Sequence, residues 1–228
     1  DEGDNSLLPL SFSHLNEFAF YRERWALRRI FCYQFPTSAS AERGSAVESG
    51  LNMVLNGISV EEASKKMIDE YNANCSRITD PKIDDERENL VPLLELGART
   101  FQNYAFRWEL LDYQKKVQLD IEGIPFIGYT DFHFEDKNTK EDFYIDLKTS
   151  KNLPKEVSIS HAMQQAVYFK GTNARQSLWY LKTPTKTKGA EFTNLSVEDY
   201  QTPMSICIHA VKAMANFLKM VDNKEDVR

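Results

Sequence analysis

In a chain of 228 residues, Asp146 and Lys148 stand two apart in "FYIDLKTSK", and Asp131 follows a glycine in "GYTDFHF". A β-strand rises about 3.3 Å per residue and alternates its side chains, so Asp146 and Lys148 project from one side about 6.6 Å apart. If the run from Phe126 to Phe134 pairs with Phe143 to Thr149 around a loop centred between Asn138 and Thr139, Asp131 falls opposite Asp146. Neighbouring strands lie about 4.8 Å apart, which leaves room for a divalent cation with oxygen bonds of about 2.1 Å between the carboxylates. Without a cation the two would repel. Hard oxygen ligands, here the carboxylates and the backbone carbonyl of Leu147, favour Mg²⁺ or Mn²⁺ over zinc. That chemistry suits phosphodiester hydrolysis, with a polarised ester, an acidified water, and Lys148 orienting the water or offsetting charge on the phosphorane. On this geometry Tyr129, His133 and Tyr144 share the active face, and Phe126, Phe132, Phe134, Ile145 and Leu147 serve the packing side.

The elements that must carry these residues change period midway along the chain. "SFSHLNEFAFYRERWALRRIF" spaces Leu15, Phe18, Ala19, Trp25 and Leu27 as one amphipathic helix, with Ser13 as N-cap and Arg22, Arg24, Arg28 and Arg29 decorating it. Small polar residues from Thr37 to Ser45 predict a loop, and "SAVESGLNMVLNG" a short helix ended by Gly57. In that helix Glu48 shares a side with Leu51, Asn52 and Leu55, turning a carboxylate towards packed structure. "SVEEASKKMIDEYNA" reads as a helix with Ser59 and Glu62 at capping-box spacing. "ENLVPLLELGARTFQNYAFRWELL" predicts a long helix whose apolar stripe runs from Leu90 to Trp108, with Pro92 near its start.

The period then becomes two. Strands are expected through Val117, Leu119 and Ile121, through Phe134, and over "FYIDLKTS", with turns at Glu122-Gly123 and "EDKNTKED". A helix over "VSISHAMQQAVYFKG" with Gly171 beyond its end, a strand over "QSLWYLKT" and a closing helix from Ser205 to Val221 complete a mixed α/β chain. The expected organisation is one unit, 1–228: a mainly helical part over 1–112 carrying Glu48, a sheet core over 113–190 and a C-terminal helix within 191–228.

The composition, 42% hydrophobic and 27% charged, supports one sizeable core. No uncharged apolar run approaches the roughly 20 residues a bilayer requires, and "DEGDNSLLPLSFSHL" is acidic where a signal peptide would be basic. The expectation is an intracellular, cytoplasmic protein, in the host cytoplasm if viral, with no membrane partner. Cys32, Cys75 and Cys207 are scattered and read as buried free thiols rather than a disulfide framework or a metal site. A net charge of −6 argues against indiscriminate coating of nucleic acid. The stretch from Lys148 to Lys188 is nonetheless basic, with Glu156 its one acid. Lys151 there and Arg43 upstream are candidates to contact a phosphate backbone.

Taken as a set, Asp131 in "GYTD", Asp146-Leu147-Lys148 in "YIDLKTS" and Gln164 with Tyr168 in "QQAVY" resemble the signature of the PD-(D/E)XK nuclease superfamily, in its RecB-type exonuclease branch. Gly44 and Glu48 in "RGSAVES" are similar to that branch's upstream Gly-x-x-x-Glu, and "LSFSHLNEFAFYRERWALRRI" resembles its opening. The resemblance implies a mixed central β-sheet with an αβββαβ restriction-endonuclease-like core, a helical N-terminal part and a C-terminal helix. It implies that Glu48, Asp131 and Asp146 hold one or two Mg²⁺ or Mn²⁺ ions, that Lys148 is catalytic, and that Gln164 and Tyr168 support the site or guide DNA. Members of the branch that hold an iron–sulfur cluster carry a cysteine in the first helix and three near the C-terminus. Phe20-Tyr21 and the isolated Cys207 stand here instead, so no cluster is expected. The implied function is a metal-dependent DNA nuclease, an exonuclease on linear or single-stranded DNA in recombination, repair or end processing, with recombination or replication proteins as partners. The alternatives are a structure-specific endonuclease of the same fold and a DNA-end-binding module without chemistry.

Overall fold

In chain order the helices α1 (Phe12–Phe20), α2 (Arg22–Arg29), α3 (Ala39–Leu55), α4 (Val60–Cys75), α5 (Ile83–Glu88) and α6 (Leu90–Gln102) precede the sheet. Strands β1 (Trp108–Ile121), β2 (Ile124–Asp136) and β3 (Asp142–Ser150) follow, then α7 (Ile159–Thr172), β4 (Arg175–Lys182), β5 (Glu191–Leu195) and α8 (Gln201–Met220). These elements come from a computed structural model that describes residues 9–220, so the acidic opening as far as Leu8, and Val221 in the expected closing helix, lie outside the described residues. Serine side chains set four of the helix starts by accepting an otherwise free amide: Ser11 from His14, Ser38 from Ala41, Ser59 from Glu62 and Ser158 from His161.

The strands form one mixed sheet in the order β1-β2-β3-β4-β5. β1, β2 and β3 are antiparallel neighbours, β3 and β4 run parallel across the α7 connection, and β5 returns antiparallel. Glu122 (φ 56°) and Gly123 (φ 79°) are both left-handed and close the two-residue β1–β2 turn, the backbone that matches strand twist in a tight hairpin. The β2–β3 ladder pairs Phe132 with Ile145, His133 with Tyr144 and Phe134 with Phe143. One further step sets Asp131 against Asp146, the register expected from the hairpin symmetry.

Each sheet face carries a core. Leu51, Met67, Leu93, Leu94 and Phe101 of α3, α4 and α6 bury Phe132, Phe134, Ile145, Leu147 and Trp179 on one side. Leu15, Phe18 and Trp25 of α1 and α2, with Met163 and Val167 of α7 and Cys207 and Val211 of α8, bury Ile121 and Phe126 on the other. The architecture is therefore mixed α/β with a helical layer on each face of a five-stranded sheet. Among the described residues no helix is long and apolar enough to cross a membrane.

Several sequence expectations are corrected. The first helix is not continuous: Tyr21 adopts φ −145° and ψ 59° and separates α1 from α2. The break lets Phe18 and Trp25 meet edge to face with centroids 5.1 Å apart, while Leu27 stays exposed. The cap is Ser11 rather than Ser13, and the expected loop to Ser45 ends at Ser38 because that serine starts α3. The long helix stops at Gln102. Successive turns, with the Arg107 and Trp108 amides both donating to the Tyr104 carbonyl, carry the chain into β1, where Trp108 still stacks on Tyr104 at 4.1 Å. The sheet thus spans Trp108 to Leu195 rather than 113–190, because β1 begins directly after these turns and β5 adds a strand beyond β4, and α8 starts at Gln201 rather than Ser205. Gly171 lies inside α7, which ends at the left-handed Asn173. A Cβ on Gly171 would come within 2.4 Å of Val117 Cγ1, so the glycine permits the close approach of α7 to β1. Cys75 and Cys207 are buried free thiols, but Cys32 is exposed.

Candidate active site

The conformation of β2 explains how an acidic cluster forms beside a core. Phe126 packs with α7 residues, whereas Phe132, at the same strand parity, packs with α6 residues across the sheet. The side alternation therefore slips between them, next to the left-handed Gln114 of β1 (φ 51°), which the ladder places beside the Lys115–Thr130 pair. Gly128 faces Tyr168, which leaves Tyr129 pointing away and exposed, not on the active face. Phe126 likewise belongs to the opposite core from its expected companions.

Past that slip, Asp131 comes beside β3. Its Oδ2 accepts the Leu147 amide N–H at 2.7 Å. Asp146 is buried, the Lys148 ammonium lies 2.5 Å from its Oδ2, and its Oδ1 has no hydrogen-bond partner among the described residues. Glu48 reaches in from α3, where its Oε1 accepts from Gln114 Nε2 at 3.1 Å. From α7, Tyr168 is buried, and Gln164 lies one turn before it on the same helix. His161, one further turn back, meets the Tyr180 hydroxyl at 2.6 Å through Nδ1. The β3–β4 ladder puts Tyr180 beside Lys148.

Burial lifts the Asp131 carboxyl well above the usual carboxylate range, and the Asp146 and Glu48 charges lift it further. Glu48 is raised for the same reasons, burial first, although bonds from Gln114 and Tyr113 oppose the rise. Burial by itself would depress Lys148, but Asp146 and Asp131 outweigh it and hold the ammonium above the ordinary lysine range. Burial pushes Tyr168 and Tyr180 up to about 12. It lowers His161, with Lys148 adding to the effect, so that this imidazole is neutral at physiological pH.

Glu48, Asp131, Asp146, Lys148, Gln164 and Tyr168 are thus brought together. Among the described residues no three His, Cys, Asp or Glu side chains already form a cation cage. The reason is visible in the contacts: Asp131 is turned to the Leu147 amide, Glu48 is held by Gln114, and Lys148 sits against Asp146. Arg43 does not face a substrate. It is buried, paired with Glu86, and donates to Thr149 Oγ1 and the Thr149 carbonyl at 3.3 and 3.2 Å, pinning α3 to the end of β3. Lys151 is exposed on the rim, 3.5 Å from Glu86. His133 is buried two positions beyond Asp131, stacked on Tyr144 and contacting Lys115 at 3.3 Å and Asp142 at 3.2 Å, in a cluster of its own. Gln114, Tyr113 and Tyr180 had not been anticipated. Only Tyr180 leaves a trace in the sequence, through its alternation within "QSLWYLKT".

A Cβ at position 128 would lie 2.6 Å from Tyr168 Cε1. Gly128→Ala is therefore expected to displace the ring and to cost about 1–3 kcal/mol through overpacking. Denaturant unfolding measures the loss, and Tyr168→Phe in the same background, which keeps the clash, should not relieve it.

No protein-family profile matches the chain, and no curated protein matches it. Among solved structures, one described as "Crystal structure of SSO0001" is similar over 93% of this chain and 87% of that chain, with 12% identity and a TM-score of 0.37.

Proposed function

We propose that the chain is a metal-dependent deoxyribonuclease of the PD-(D/E)XK superfamily, RecB-type branch, acting as an exonuclease on linear or single-stranded DNA. On this reading β1–β3, α7 and β4, with the helices before them, are the restriction-endonuclease-like core. One observation carries the proposal: Asp131 and Asp146 meet on adjacent strands, Lys148 holds Asp146 Oδ2, and the buried Asp146 Oδ1 lacks a hydrogen-bond partner among the described residues. Buried carboxylate oxygens without partners are rare and costly. Repelling carboxylates with an all-oxygen donor set fit a hard divalent cation.

Glu48, Asp131 and Asp146, with the Leu147 carbonyl, would hold one or two Mg²⁺ or Mn²⁺ ions. The chemistry supplied by a bound cation is polarisation of the phosphodiester and acidification of water. Lys148, protonated because of its acidic neighbours, orients the attacking water and offsets charge on the phosphate oxygens. Leu147 fixes one oxygen of Asp131 through its amide, leaving the other for the site. Gln114 does the same for Glu48. Tyr168 and Gln164 border the site from α7 and guide the strand, and Lys151 adds positive charge at the rim.

Linear DNA labelled separately at its 5′ and 3′ ends, single- and double-stranded, tests this reading. Release of label-bearing nucleotides with Mg²⁺ or Mn²⁺, stopped by chelator, is the expected result, and the label released first gives the polarity. Cutting of closed circular DNA would reject an obligate exonuclease in favour of an endonuclease. Binding without release would reject the enzyme and leave an end-binding module.

A further inference from the structure

The α1–α2 arm carries Arg22, Arg24, Arg28 and Arg29 against Glu17 and Glu23, a local excess of positive charge on a chain of net charge −6. Two of these guanidiniums face one nearly buried carboxylate. Arg24 Nε lies 3.0 Å and Arg28 Nε 3.7 Å from Glu17, and the neighbouring Arg29 has its Nε buried without a hydrogen-bond partner. One carboxylate balances only one of the two guanidiniums that face it, which leaves positive charge available to an anion. Arg24 and Arg28 also lie over the Phe35 ring at 4.7 and 5.3 Å, and Phe35 meets Tyr33 edge-on at 4.8 Å. Tyr33 itself is 55% exposed, so an aromatic surface stays open next to the Phe35 ring that carries the guanidiniums.

The arm adjoins the candidate active site. Ser160, at the start of α7, donates to Asn16 of α1 at 2.7 Å, and the next residue, His161, bonds Tyr180 beside Lys148.

We infer that Arg24, Arg28, Arg29 and Tyr33 form a second contact surface for single-stranded DNA, with phosphates against the guanidiniums and a base stacked on Tyr33. Guanidiniums and an open aromatic face together are the combination that holds single strands without reading their sequence. Duplex DNA, whose bases are already stacked, would gain only the charge. The inference takes the identity of the ligand from the nuclease reading.

The test is fluorescence anisotropy of labelled oligo-dT, and of a labelled duplex of equal length, with the full chain in chelator at several salt concentrations. Tyr33→Ala is expected to keep the wild-type melting temperature and to weaken oligo-dT binding about five-fold, with little effect on the duplex. Arg24→Gln with Arg28→Gln is expected to weaken it about ten-fold or more and to flatten the log–log salt dependence by about 1.4, at about 0.7 per single-strand phosphate contact. If the arginine variant does not fold, Tyr33→Ala decides alone. Wild-type oligo-dT affinity in Tyr33→Ala, or equal losses for strand and duplex, would overturn the inference. Because binding is read without turnover, a chain that binds but never cuts refutes the nuclease and not this surface. A chain that cuts while the variants bind normally does the reverse.

Discussion

Lys148→Ala is expected to lower DNA cleavage by roughly two to three orders of magnitude and, in chelator, to destabilise the fold. Among the described residues the ammonium is the one cation in contact with Asp146, a carboxylate that is 4% exposed and otherwise has no hydrogen bond there. Removing it leaves a buried charge uncompensated, for which losses of about 3–5 kcal/mol are typical. The lysine side chain is 26% exposed, which places the loss near the lower end, about 3 kcal/mol. For a chain of this size that is a fall of about 6–12 °C in melting temperature. Loss of a positioned electrostatic group lowers the rate roughly 100- to 1,000-fold. The two effects separate in the double variant: adding Asp146→Asn removes the stranded charge and should recover most of the stability while leaving the protein inactive. A melting temperature unchanged in Lys148→Ala would mean that the pair contributes nothing to the fold.

Asp131→Asn is expected to act in opposite directions on stability and activity. Burial and the neighbouring Asp146 and Glu48 raise the Asp131 carboxyl, so in the metal-free fold it resists ionisation. An asparagine keeps an oxygen for the Leu147 amide and removes the repulsion. We expect a gain in stability near neutral pH, read as a higher melting temperature, together with a loss of cleavage of at least about 100-fold. The sign of the pH dependence follows from the raised value. At a pH where the unfolded carboxylate is ionised and the folded one still protonated, folding takes up a proton. The stability contributed by this group is complete below about pH 4 and is lost as pH rises through the folded value. Glu48, raised in the same direction, adds to that slope. Melting in chelator across this range should therefore show a wild-type decline with rising pH that Asp131→Asn reduces. Added Mn²⁺ should raise the wild-type midpoint by mass action, about 2.7 kcal/mol at a hundred times the dissociation constant, and raise that of Asp131→Asn less.

The parts of this molecule set by period and register were legible in the sequence. Asp131 meets Asp146-Leu147-Lys148 because hairpin pairing is symmetric about its loop, and that follows from counting residues. Gln164 and Tyr168 are singled out by family resemblance alone, whereas Glu48 also lies on the apolar side of its helix with Leu51 and Leu55, which turns its carboxylate inward. What escaped notice depends on backbone irregularity and long-range packing. The left-handed Gln114 and the neighbouring slip in β2 have no signature in residue type, yet they turn Tyr129 outward and bring Gln114 to Glu48. Arg43 looked like a phosphate ligand because arginines usually face water. Its partner Glu86 lies on α5, a helix of six residues that no periodicity announced. The break at Tyr21 was hidden because Phe18 and Trp25 both fit the apolar stripe of a continuous helix, although they pack by bending the chain.

One measurement bears most directly on whether Asp131, Asp146 and Lys148 form a phosphodiester-hydrolysing centre: release of acid-soluble nucleotides from uniformly labelled linear DNA with Mn²⁺, by wild type and by folded Asp146→Asn. Release by the wild type that chelator stops and Asp146→Asn lacks is the expected result. Intact DNA with the wild type, or equal release by the variant, would contradict it.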